Sequence, residues 1–285
     1  MYDEILVPVD GSDGADAAVE HAADIARQFD AKIHVLNVAD TTRDSVTVVG
    51  TEVVDALERE GENVTDAVAS DLSDAGVEYE TVVVQGDPAP TIAEYAESRG
   101  IDLVVMPTRG RSGLSRYLLG SVTEKVVRLS SVPVLTVRMG EDRPAFPYEN
   151  VVMATDGSKS AERATNFAAS LTRELDGTLH VVSVADTSSL GIDVRSAVSD
   201  EQIRETAETA VSESAETARD AGLESVVERV ERGKPAKELL DYVEDEGADL
   251  VVMGATGKRD VDRILVGSVT QKLLRSSPVP VVTVR

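Results

Sequence analysis

Short runs of β-branched and aliphatic residues alternate with longer amphipathic stretches along the whole chain. In the first half the runs predict strands near 4–9, 32–38, 79–85, 102–106 and 133–138. Between them a helical periodicity predicts helices near 14–29, 52–75, 89–98 and 121–130. This alternation predicts a parallel sheet with helices on both faces, joined by right-handed crossovers. Asp102-Leu-Val-Val-Met106 and Asp249-Leu-Val-Val-Met253 carry no polar alternation, as expected of central strands covered on both sides.

The same pattern returns in the second half. Ile5-Leu-Val-Pro-Val-Asp-Gly-Ser12 reappears as Val151-Val-Met-Ala-Thr-Asp-Gly-Ser158, so that Asp156 lies 146 residues after Asp10. Ile101–Arg138 aligns with Ala248–Arg285 at 21 of 38 identical positions. A repeat this long means two tandem copies of one domain. The expected fold class is α/β, with two doubly wound, five-stranded parallel-sheet domains over 1–140 and 149–285. The Pro- and Gly-containing stretch 141–148 is expected to be the linker.

Composition narrows the partners. With 52 acidic and 28 basic side chains the net charge is -24, a field that repels phosphate backbones and anionic lipid and disfavours nucleic-acid or membrane-surface binding. An acidic excess of this size resembles the surface of a halophilic protein, where concentrated salt screens the repulsion. The acidic helices near 52–75 and 198–221 fit the same picture, each with a solvated outer face over an Ala/Val stripe. There is no cysteine, which excludes thiolate nucleophiles, disulfides and Cys-ligated metal. A start without a basic leader, and the lack of a run of about 20 apolar residues, predict a soluble cytoplasmic protein.

In a doubly wound sheet, ligands bind at the carboxyl ends of the strands where the strand order reverses. In the order 3-2-1-4-5 or a flavodoxin-like order, that point flanks strand one. Strand one ends in Asp10-Gly-Ser12 or Asp156-Gly-Ser158. Strand four runs into Met106-Pro-Thr-Arg-Gly110 or Met253-Gly-Ala-Thr-Gly257, and further on Gly120-Ser-Val-Thr123 or Gly267-Ser-Val-Thr270 opens a helix. Glycines let backbone amides approach an anion, and a helix start adds unpaired N–H groups and a positive dipole end. The pieces therefore make a phosphate cradle, with Arg109, Arg111, Lys258 and Arg259 at its rim. A carboxylate beside phosphate implies a sugar hydroxyl or a metal ion, whereas the plainer reading of Asp-Gly-Ser is a helix cap.

Other chemistries are not encoded. The triple-glycine dinucleotide fingerprint, the G-x-x-x-x-G-K-[ST] loop and the Gly-x-Ser-x-Gly elbow are all missing from the sequence. His34 and His180 hold equivalent places on strand two, where packed, hydrogen-bonded core histidines are expected rather than catalytic ones.

Taken together, the strand-one Asp, Gly254-x-x-Gly257, a nine-residue gap and Gly267-Ser268 resemble the ATP-binding signature of the universal stress protein family. ILVPVDGS and the closing VPV-x-TVR are also typical of that family, and the resemblance covers both halves. It implies a Rossmann-like fold of the adenine nucleotide alpha hydrolase-like type. It also implies that adenine meets the backbone near the end of strand two, that ribose and Mg lie near the Asp, and that the glycine loop holds the phosphates of ATP, ADP or AMP. Carried onto the second copy, the binding residues are Ala154, Asp156, Val184, Met253, Gly254, Gly257, Gly267, Ser268 and Val269. In the first they are Pro8, Asp10, Val38, Met106, Gly110, Gly120, Ser121 and Val122. Asp10 and Asp156 are the candidate metal ligands.

The copies differ at Pro107, where the second has Gly254. Proline lacks an N–H, so the first site is expected to have one phosphate donor fewer and to bind more weakly. A nucleotide-binding regulatory module is the leading reading, because a base placed to activate water is not evident apart from the aspartates. A slow ATPase or autophosphorylating enzyme using the same pocket is the second, and a nucleotide-independent association protein the third. The final strands Val132–Arg138 and Val279–Arg285 are sheet edges. They are expected to pair within the chain, and further association into a homodimer is left open.

Overall fold

Nearly uninterrupted burial of β-branched and aliphatic runs decides where the central strands lie. A computed structural model describes residues 2–41, 51–110, 119–138, 146–186, 200–257 and 266–285, with only the backbone at 51–55. The chain divides into two units, Tyr2–Pro144 and Ala145–Arg285.

The first unit consists of β1 (Glu4–Pro8), α1 (Asp13–Phe29), β2 (Lys32–Asp40), α2 (Thr51–Asp74), β3 (Tyr79–Gly86), α3 (Pro88–Ser98), β4 (Leu103–Pro107), α4 (Ser121–Leu129) and β5 (Val134–Val137). Its strand order is β3-β2-β1-β4-β5, and each pairing is parallel. The second unit consists of β6 (Asn150–Ala154), α5 (Lys159–Glu174), β7 (Thr178–Ala185), α6 (Asp200–Asp220), β8 (Val226–Arg232), α7 (Pro235–Asp245), β9 (Leu250–Gly254), α8 (Ser268–Ser276) and β10 (Val281–Val284). Its order, β8-β7-β6-β9-β10, repeats the first. The expected doubly wound α/β fold is therefore present twice.

Every residue of β4 and β9 is buried, as their unbroken apolar runs require. Burial of one such Val or Leu side chain contributes about 1.5–3 kcal/mol, which makes these strands the anchors of each unit. In the first unit α1 and α2 pack together, as do α3 and α4, consistent with right-handed crossovers that leave β1 first to one side and then to the other. The reversal falls between β1 and β4, and in the second unit between β6 and β9.

His34 and His180 are core groups near the starts of β2 and β7. His34 Nδ1 lies 3.0 Å from the Tyr95 hydroxyl and Nε2 lies 2.5 Å from Glu4 Oε2. His180 Nδ1 meets the Tyr242 hydroxyl at 2.9 Å, but Asn150 and Val227 stand where the first unit has Glu4 and Glu80. Burial pushes the His180 imidazole below its ordinary value, with Glu246 opposing the shift. The unfolded chain then takes up a proton that the folded chain resists, so stability falls as pH drops below the unfolded value of about 6.5. The loss stops growing below the folded value. Urea unfolding of the wild type and His180→Gln should show a stability difference that changes between pH 7.5 and 5.5 in disfavour of the wild type. A pH-independent difference would contradict this account.

Candidate functional site

The Asp-Gly-Ser turns leave β1 and β6 through Gly11 (φ 73°) and Gly157 (φ 71°), a left-handed conformation that disfavours any side chain. The serine then caps the following helix. Ser12 Oγ accepts from Ala15 N–H at 3.3 Å, and Ser158 Oγ accepts from Ala161 N–H at 3.2 Å. The aspartate in turn holds the serine: Asp10 Oδ1 accepts from the Ser12 amide (3.2 Å) and hydroxyl (2.6 Å), and Asp156 Oδ1 from the Ser158 amide (2.9 Å). The capping reading thus holds for the serines, which are the N-caps, with one oxygen of each carboxylate bracing its serine.

The second oxygen faces the glycine loop. A Cβ placed on Gly110 would lie 2.5 Å from Asp10 Oδ2, and one on Gly257 would lie 2.9 Å from Asp156 Oδ2. Residues about a hundred positions apart in sequence thereby meet across the switch point. A side chain at 110 or 257 would have to push the carboxylate oxygen out of this approach.

The helix that follows is tied to the same loop. Gly120 N–H donates to Thr108 C=O at 2.8 Å and Gly267 N–H to Ala255 C=O at 2.9 Å, so these two amides close the loop and are not open to a ligand. The first helical bonds run from Glu124 N–H to Gly120 C=O and from Gln271 N–H to Gly267 C=O. Helix geometry therefore offers no acceptor to the amides of Ser121 and Val122, or of Ser268 and Val269, at the positive end of the dipole. Thr123 Oγ1 donates to Pro107 C=O (2.9 Å) and Thr270 Oγ1 to Gly254 C=O (3.0 Å). These buried hydroxyls fix the helix start against the last residue of β4 or β9. The sequence pattern does not single them out as positioning residues, although each is the fourth member of a Gly-Ser-Val-Thr run.

Pro8 pairs with Leu36 and Ala154 with Val182, while β2 and β7 run on past them to place Val38 and Val184, both half-buried, beyond the end of the neighbouring strand. Asn37 secures this corner in the first unit by donating from Nδ2 to Val9 C=O at 2.8 Å. Met106 and Met253 are buried in β4 and β9. Arg109 lies in the loop itself, whereas Arg111, Lys258 and Arg259 lie outside the described residues.

Position 107/254 has a packing role as well. A Cβ on Gly254 would come within 2.6 Å of Ser160 Oγ and 2.9 Å of Ser160 Cβ, so glycine is needed where β9 meets the start of α5. Ser160 Oγ donates to Val284 C=O at 3.0 Å, the carbonyl that also accepts from Ala255 N–H. In the first unit the partner of Pro107 is Gly14, whose added Cβ would lie 3.2 Å from Pro107 Cβ and 2.4 Å from Arg109 C=O. The small residue has changed sides, from strand in the second unit to helix in the first. Pro107 is accommodated and leaves β4 in register, with Pro107 opposite Val137 as Gly254 is opposite Val284.

Each unit is thus a Rossmann-type α/β domain whose switch point is crossed by a carboxylate, a glycine loop and a helix start. The chain belongs to the universal stress protein family, whose model matches residues 1–138 and 147–285. A universal stress protein of Mycolicibacterium smegmatis is 32% identical over 300 residues, covering 99% of this chain and 96% of its own. One from Methanocaldococcus jannaschii is 37% identical over 145 residues, 48% of this chain and 83% of its own. The crystal structure of a universal stress protein from Archaeoglobus fulgidus is 27% identical, covers 99% of this chain and 98% of its own, and superposes with a TM-score of 0.76. No helix among the described residues is long and apolar enough to cross a membrane.

Proposed function

We propose that each unit binds an adenine nucleotide at its switch point and that the protein acts as a nucleotide-binding regulatory module in a stress response. The observation that carries this reading is the approach of Asp10 Oδ2 to Gly110, repeated by Asp156 and Gly257. It joins a sugar- or metal-binding carboxylate to phosphate-binding backbone in one crevice. Adenine would lie by Pro8 and Val38, or by Ala154 and Val184. The phosphates would lie against the glycine loop and the amides of Ser121 and Val122, or of Ser268 and Val269. A single carboxylate suits Mg²⁺, which is commonly held by one or two carboxylates together with substrate phosphates. Asp10 and Asp156 would hold it, and the ion would neutralise phosphate charge.

The direct test is to denature freshly purified protein, kept at high potassium chloride, and identify the nucleotide released. Intact ATP is the expected result. Release of ADP with accumulating phosphate would move the reading to hydrolysis, and empty protein that millimolar ATP fails to stabilise would overturn it. The Gly254 N–H is taken up by the pairing of β9 with β6, where Ala154 lies opposite Met253. Pro107 therefore deprives the first unit of a sheet bond rather than of a phosphate donor, and the expected ranking of the two sites draws no support from this N–H.

A further inference from the structure

We infer that β8 is a self-association surface, to which a second copy of this chain adds its own β8 in antiparallel register about a two-fold axis at Val230. The inference is independent of the nucleotide site. Among the described residues β8 has one strand neighbour, β7, with which it pairs in parallel. Leu179 N–H donates to Ser225 C=O and Gly233 N–H to Ala185 C=O, so the odd-numbered residues of this stretch turn their backbone groups towards β7. Peptide groups alternate along a strand, and Val226, Glu228, Val230 and Arg232 therefore turn N–H and C=O outward. An open edge of this kind is a template for another strand.

The charges along the edge select the strand that fits. Hydrogen bonding across an antiparallel pair needs outward residues opposite outward residues. With Val230 opposite its own copy, Glu228 lies opposite Arg232 on one face of the sheet and Arg229 opposite Glu231 on the other, so every charge of the strand meets its opposite. Slipping to the neighbouring hydrogen-bonded registers sets Arg229 against Arg229 or Glu231 against Glu231, and the next slips set Glu228 against Glu228 or Arg232 against Arg232. Like charges directly opposite are destabilising. Charge on an edge strand ordinarily deters pairing, but here it deters the slipped registers and admits one. Internal pairs already hold these side chains at the edge: Arg219 meets Glu228 at 2.7 Å, Arg229 Nε meets Glu231 at 2.7 Å and Arg232 meets Asp200 at 2.5 Å. The guanidiniums of Arg229 and Arg232 have further donors to offer a second chain. At the equivalent edge of the first unit, β3 carries a single charge, Glu80, and has no such complement.

The experiment is sedimentation equilibrium of the full-length chain in the lowest potassium chloride that keeps it folded, because salt screens exposed charge. The mass should rise from one chain towards two as the protein is concentrated. Val230→Pro should remove the dimer, since it takes away an outward N–H at the centre of the pairing and none that bonds β7. Arg229→Glu and Glu231→Arg should each weaken the dimer about tenfold, because the two-fold axis makes each like-charge contact occur twice. An equal mixture of these two variants should regain wild-type affinity as a heterodimer, one chain bringing only acids at 229 and 231 and the other only bases. That recovery cannot arise from a bond within either chain. Melting temperatures establish that the variants are folded, and the mixture decides even where Val230→Pro does not fold. A chain that stays single up to about 1 mM, a dimer that survives Val230→Pro, or a mixture no tighter than its components overturns the inference.

Discussion

Valine at positions 110 and 257 together is expected to abolish the rise in melting temperature that the proposed ATP binding would produce in the wild-type protein. A ligand bound only to the folded state at a hundred times its dissociation constant stabilises by about 2.7 kcal/mol, several degrees for domains of this size. The side chain added at 257 would start 2.9 Å from Asp156 Oδ2, and that at 110 would start 2.5 Å from Asp10 Oδ2. Both occupy the gap between carboxylate and loop where the nucleotide is proposed to bind. The cost without ligand should differ between the two. Asp156 is exposed and its Oδ1 accepts from the Ser158 amide, whereas Asp10 is half-buried and tied by Oδ1 to both the amide and the hydroxyl of Ser12. Gly257→Val should therefore leave the unliganded melting temperature nearly unchanged, while Gly110→Val lowers it. Scanning calorimetry suits a chain without tryptophan. Persistence of the ATP shift in the double variant would place the nucleotide elsewhere.

Gly254→Pro alone is expected to destabilise the second unit by about 1–3 kcal/mol, and adding Ser160→Gly should recover most of that loss. The first unit already contains this combination as Gly14 and Pro107. With Ser160 in place, an atom at the Cβ position of residue 254 meets Ser160 Oγ at 2.6 Å and its backbone carbonyl carbon at 2.9 Å, a degree of overpacking that costs about this much. Ser160→Gly alone gives up the bond to Val284 C=O, worth about 1 kcal/mol, and so should be mildly destabilising. The two changes should thus be strongly non-additive, with a coupling energy of about 1–3 kcal/mol in a urea-unfolding double-mutant cycle. Additive effects would show that the positions do not sense each other.

Much of this fold is legible in the sequence. The burial of β4 and β9 follows from runs without polar alternation, and the repeat offset aligns Asp10 with Asp156 without ambiguity. The topology brings strand-one and strand-four ends together, so the general location of the site was legible as well. Its internal wiring was not. Sequence spacing cannot show that one oxygen of Asp10 serves a serine while the other faces Gly110, because both statements concern directions within a carboxylate. Nor does it show that the amides of Gly120 and Gly267 are consumed in closing the loop. Pro107 read alone looks like a lost donor; only the contact with Gly14 reveals that it belongs to a pair. Thr123 and Thr270 look like ordinary helix residues until their hydroxyls are found on the carbonyls of Pro107 and Gly254.

That exchanged pair also limits how the two halves of the gene can recombine. A crossover between the copies anywhere between the first helix and the fourth strand would join a serine helix start to a proline strand end, or a glycine to a glycine. The first product is overfilled and the second leaves a void, so neither inherits a working junction. Each copy must therefore pass on its helix start and its strand end as a single heritable block, and sequence homogenisation between the duplicates is opposed at this joint even where 21 of 38 later positions remain identical.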